Sequence, residues 1–173
     1  EKMGGALLTV ATIMAFIGAI ICPHIVRRLG VVRSATICGI IQVIAYLLLL
    51  PAGRSQPFFF TAFAVLTLAQ GITSPLYYVL LAHGIDVGRM TSPVNTAGMA
   101  YSINTLVTKL SMGITGFILT SFLAYGHYAA DLHTFAPNLK HWVTVGFVWL
   151  PLGATALQLF FLALWPSNMA TAV

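Results

Sequence analysis

GGALLTVATIMAFIGAIICPHIVRRLGVVR, residues 4–33, decides the fold. Its first part, Gly4–Val26, holds no Asp, Glu, Lys or Arg. At 1.5 Å per residue it reaches about 34 Å as a helix, enough for a bilayer core about 30 Å thick. Arg27, Arg28 and Arg33 then follow in one short gap. A long apolar run with a basic stop reads as a membrane span, and it is too long for the apolar part of a cleavable leader.

The same pattern recurs along the chain. Further spans are expected at about 34–51, 57–81, 96–124 and 142–165. The gaps between spans (HIVRRLGVVRS, PAGRSQP, AHGIDVGRMTSPVN and YGHYAADLHTFAPNLKH) carry most of the charges and turn formers. Trp142 and Trp165 bracket the last run as interfacial anchors would. The expected fold is an all-α polytopic membrane bundle of five transmembrane helices.

Composition agrees. Of 173 residues, 59% are hydrophobic and 6% charged, against roughly a quarter charged in a soluble domain. Eleven charges, eight Lys+Arg and three Asp+Glu, cannot cover a globule of this size in water. A soluble enzyme, a nucleic-acid reader and a disordered tail are excluded together. Cys22 and Cys38 lie in or beside apolar runs, so neither a disulfide framework nor a metal site is read.

With the first gap cytoplasmic, the inside holds Arg27, Arg28, Arg33 and Arg89, and the outside Lys2, Arg54 and Lys140. The tight cluster in the first gap places the N-terminus outside and the C-terminus inside. An odd number of spans in a chain opening with Glu1 leads to the expectation of a piece of a larger protein, with spans before Glu1. The alternative is a complete five-span protein.

Lys109 falls near the middle of the fourth span, where a lysine costs about 2.5–3.5 kcal/mol on insertion scales. It calls for a wet cavity or a carboxylate, yet no expected span contains Asp or Glu. Asn104, Thr108, Ser111 and Thr115 recur at helical spacing, and Ser102, Thr105 and Lys109 form the adjacent row. Gly113 and Gly116 would let a neighbour approach closely. A lined cavity is one reading of this stripe, and hydroxyls gluing helices together is the other.

In the third span Gln70, Gly71, Thr73, Ser74 and Pro75 read as an interruption of the kind transporters place near a substrate. Tyr77 and Tyr78, which follow, could stack on a sugar or belong to the interfacial aromatic belt. Gln42 and Pro151 read as structural. His24, His83, His127, His133 and His141 lie in gaps or at span ends without metal-ligand spacing. There is no His-Glu-x-x-His, no Gly-x-Ser-x-Gly and no phosphate loop, so an enzyme is not expected.

Pro23-His24-Ile25-Val26-Arg27-Arg28-Leu29-Gly30 resembles the short basic loop between the second and third helices of each half of major facilitator transporters, without that loop's usual Asp. Leu81–Gly88, then Met99–Thr105, then Lys109 resemble the loop and eleventh helix of the glycoside–pentoside–hexuronide:cation symporters, melibiose permease among them. His83, Val87, Arg89, Asn95 and Ala97 depart from that family's Asp, Tyr, Glu, Arg and Glu. About 45 residues carry the likeness, and span order the rest.

The resemblance implies helices eight to twelve of a twelve-helix transporter, its missing N-terminal half as partner, and a multi-pass place in the cell (inner) membrane. It implies a sugar substrate, alternating access, and Na⁺ or H⁺ as coupling cation with no other cofactor. Lys109, Asn104, Thr105, Thr108, Tyr77 and Tyr78 become the expected substrate-binding residues, and Asp86 and Arg89 the expected gating-loop residues. Lipid and a small solute are the expected partners, nucleic acid is not, and no metal ligands are expected. A major facilitator carrier for another solute, or a truncated non-transporting protein or assembly partner, are the alternatives.

Overall fold

The computed structural model describes residues 2–52, 55–91, 97–125 and 137–164, with the side chains of 2–3, 52, 89–91 and 137–140 left out. All of its regular structure is helical: α1 (Lys2–Leu29), α2 (Val31–Ala52), α3 (Gln56–Thr91), α4 (Ala97–Tyr125), α5 (Pro137–Thr144), a π-helical turn (Val145–Trp149) and α6 (Leu150–Ala163). Among the described residues, five stretches are long and apolar enough to cross a membrane: Gly4–Leu29, Val31–Pro51, Gln56–Gly88, Ala97–Tyr125 and His141–Ala163. Trp165, Arg54, Asn95, His127, Asp131 and His133 lie outside the described residues.

Two compact units divide the chain. One comprises residues 1–80 with 152–173, the other residues 81–151.

In the first unit, α1 and α2 form a hairpin on a single linking residue. Gly30 has φ +80°, a left-handed conformation that closes helices cheaply only with glycine. Its N–H donates to Val26 O at 2.8 Å, and Ser34 Oγ donates to Gly30 O at 2.6 Å. Ser34 is fully buried, so the turn is pinned from inside. Beyond it Cys22, Ala35, Cys38, Ile72, Leu76 and Leu80 form the core, with Leu68 and Leu162 packed on it.

α1 and α3 touch backbone to backbone. A Cβ on Gly18 would meet Leu68 O, and one on Gly71 would meet Ala15 O. Small residues at such a crossing are what membrane helices use in place of a hydrophobic drive. α2 and α3 are tied by polar pairs. Gln42 Nε2 donates to Thr73 Oγ1 at 2.9 Å, Thr73 Oγ1 donates to Ala69 O at 2.8 Å, and Gln70 Nε2 donates to the Tyr46 hydroxyl at 3.2 Å. Gln42 and Thr73 are both buried. Against α6, Gly39 makes room for the Leu159 side chain.

Two expectations are corrected here. The stretch Gln70–Pro75 does not interrupt its helix, because α3 runs α-helically through Pro75. Proline removes one N–H, the donor to Gly71 O, and the packed crossing at Gly71 outweighs that loss. Asp86 and Arg89 do not lie in a loop either. α3 continues to Thr91, past the expected end at Leu81. Gly84 and Gly88 weaken a helix by about 1 kcal/mol each, but neither stops one, and Ile85 between them is buried. Thirty-six residues of α3 reach about 54 Å, so this helix outruns a 30 Å bilayer core and Asp86 sits near its far end.

In the second unit α4 packs on α5 and the π-helical turn. Trp142 stacks near Phe122 and Tyr125 at centroid distances of 5.5 and 5.8 Å, with His141 edge-on at 5.9 Å. Gly146 lies in the wide turn, where a Cβ would stand 2.9 Å from Phe122 Cδ2. Pro151 explains the turn. It cannot donate to the carbonyl four residues back and its ring crowds that carbonyl. The preceding turn widens, with the Leu150 N–H bonded to Val145 O.

Candidate functional site

α4 is the helix on which polar chemistry accumulates at membrane depth. At 100° per residue, Ser102, Thr105 and Lys109 fall within about 60° of one another. Thr108, Thr115, Asn104 and Ser111 continue the same side, so the polar groups spread over about half the helix circumference, with Met112 and Leu119 set among them. Ile103, Leu106, Val107, Leu110, Ile114 and Phe117 occupy the other half. A span with one polar and one apolar half is built to meet lipid on one side and protein or water on the other.

Three of the hydroxyls are satisfied locally. Thr105 Oγ1 donates to Tyr101 O at 2.9 Å, Thr108 Oγ1 to Asn104 O at 2.8 Å and Ser111 Oγ to Val107 O at 2.8 Å. Each keeps its oxygen lone pairs as acceptors towards a ligand. Lys109 has no hydrogen bond or ion pair among the described residues. Gly113 and Gly116 lie one and two turns on, within about 40° of its direction, and a methyl group added to either would meet nothing within 4 Å. The two glycines therefore leave that side of α4 without bulk. No residue of α4 is buried.

Tyr77 and Tyr78 belong to α3 in the first unit. They are 45% and 58% exposed, enough ring surface for a stacking role. Gln158 of α6, in the same unit, has its Nε2 buried without a hydrogen-bond partner among the described residues. The α4 residues and Asp86 lie in the second unit. Asp86 is exposed, and the side chain of Arg89 is outside the described residues. Among the described residues no three His, Cys, Asp or Glu side chains converge as metal ligands would. Cys22 and Cys38 are both free and buried.

The family described as MFS/sugar transport protein matches residues 1–168, nearly the whole chain. The chain belongs to this branch of the major facilitator superfamily. No curated protein and no solved structure matches it. Membership of this transporter family accounts for a multi-pass chain whose polar residues gather on one side of a span. Melibiose permease-like specificity is a finer matter and rests on the motifs alone.

Sequence reasoning did not find the Gln42–Thr73 and Gln70–Tyr46 pairs, the Gly18–Gly71 crossing or the π-helical turn. Gln42 and Thr73 are visible as polar residues in apolar runs, but which helix each faces depends on packing. Pro151, a proline inside an apolar run, was the available signal for the turn.

Proposed function

We propose that this major facilitator chain forms part of a secondary active sugar transporter, and that the polar half of α4 lines the solute pathway. Lys109 carries the reading: a lysine at mid-span, in a polar half, with no carboxylate bonded to it among the described residues. An uncompensated ammonium there is costly unless it meets water or a ligand. Lys109 would donate to sugar hydroxyls, with Thr105, Thr108 and Asn104 as further partners on the same helix, and Tyr77 and Tyr78 of α3 are the second choice, each a stacking surface in its own right. Symport with Na⁺ or H⁺, a role for Asp86 and Arg89 in closing one side, and residence in the inner membrane belong to the same proposal.

The test is Lys109→Ala in the protein as its gene encodes it, expressed in cells lacking other uptake routes. Accumulation of the glycoside falls by about tenfold or more, the worth of a charged hydrogen bond, while membrane insertion is unchanged. Unchanged accumulation removes Lys109 from the pathway. The same uncompensated cation favours one second reading, a carrier for an organic anion. A panel of glycosides and organic anions separates the two, since only the second loses anion-dependent uptake with Lys109→Ala.

A further inference from the structure

A depression of about 290 Å³ opens at the C-terminal end of α1, lined by His24, Ile25, Arg28 and Leu29. These positions, i, i+1, i+4 and i+5, form one strip of the helix, with an imidazole and a guanidinium alternating with two aliphatic side chains. The strip lies where the first membrane-crossing stretch ends, at Leu29. His24 and Arg28 are exposed and have no hydrogen bond or ion pair among the described residues. Arg27 is the adjacent residue, and Arg33 follows on the first turn of α2 across the pinned Gly30 link. No Asp or Glu occurs between Glu1 and Asp86, so this stretch of chain supplies no counterion of its own.

We propose that this depression binds the phosphate headgroup of an anionic phospholipid. Arg28 and His24 would hold the phosphodiester oxygens, Arg28 through the paired donors of its guanidinium. Ile25 and Leu29 would take the glycerol and upper acyl carbons. The mixed lining selects a lipid over a small soluble anion, because half of the surface has nothing to offer a bare phosphate. Basic pockets at the ends of spans are where anionic headgroups bind.

The test uses the whole chain in mixed micelles holding equal amounts of phosphatidylglycerol and phosphatidylcholine, with retained lipid read by native mass spectrometry. Phosphatidylglycerol is retained over phosphatidylcholine, and Arg28→Gln cuts its retention about fivefold, as one contacting cation should. Arg28→Lys, which keeps the charge, retains most of the preference, and Arg54→Gln leaves it intact. Equal retention of the two lipids overturns the site. So does an equal loss with Arg54→Gln, which would reduce it to net charge. Displacement of phosphatidylglycerol by inorganic phosphate at the same concentration would make it a free-anion site. That last comparison needs only the wild-type chain, so it decides even where Arg28→Gln fails to fold.

Discussion

At position 71 a methyl group meets the Ala15 main chain of α1, and main chain cannot rotate out of the way as a side chain does. Gly71→Ala therefore has to push α1 and α3 apart along their crossing, and overpacking of this kind costs about 1–3 kcal/mol. The polar pair nearby is a weaker tie. Side-chain hydrogen bonds between membrane helices average about 0.6 kcal/mol, so Gln42 and Thr73 orient the pair of helices more than they hold it together. Gly71→Ala should lower the unfolding midpoint in detergent, while Gly5→Ala, with nothing within 4 Å, should leave it unchanged or raise it slightly. Equal midpoints for the two variants would mean the crossing relaxes freely. The same ranking explains why Gly71 and Pro75 misread as an interruption: a glycine that permits contact and a glycine that permits a break look alike in sequence.

Among the elements, the spans were legible because each is a long apolar run, a property local to the chain. Their ends were less so. The extension of α3 to Thr91 depends on Ile85 finding a buried place, and no count of polar residues over 81–91 reveals that. The polar side of α4 was readable from spacing alone, whereas the partners of Gln42 and Gln70 were not, since each lies on a different helix. The π-helical turn is an intermediate case, traceable to Pro151 once its neighbours are known. If the proline holds the turn open, Pro151→Ala lets the backbone return to four-residue bonding, and the turn loses its extra residue. The ring of Trp142 then shifts against Phe122 and Tyr125. With Trp149→Phe and Trp165→Phe leaving Trp142 as the sole indole, its emission should move on Pro151→Ala. An unchanged spectrum would mean that the contact of Phe122 at Gly146, rather than the proline, sets the wide turn.

For the molecule as a whole, orientation in the membrane is a matter of where cations are counted. The expected cytoplasmic set, Arg27, Arg28, Arg33 and Arg89, exceeds the expected external set, Lys2, Arg54 and Lys140, by one. So narrow a margin would decide little if charges acted only as totals. Three of the four, however, crowd around the Gly30 link between the first two spans, close to both membrane ends, where a basic residue resists translocation most strongly. In a background of Cys22→Ala and Cys38→Ala, Ser55→Cys should react with a membrane-impermeant maleimide on intact cells. Leu29→Cys, at the exposed end of α1, should react only after permeabilisation. The opposite pattern would invert the chain and move the depression at His24 and Arg28 to the other leaflet. Replacing Arg27, Arg28 and Arg33 together by Gln leaves one cation inside against three outside. The bias then reverses, and Leu29→Cys in that background should become labelled from outside in a substantial share of molecules. If it stays protected, the orientation is set by elements other than these arginines, and their clustering is left to the lipid headgroup alone.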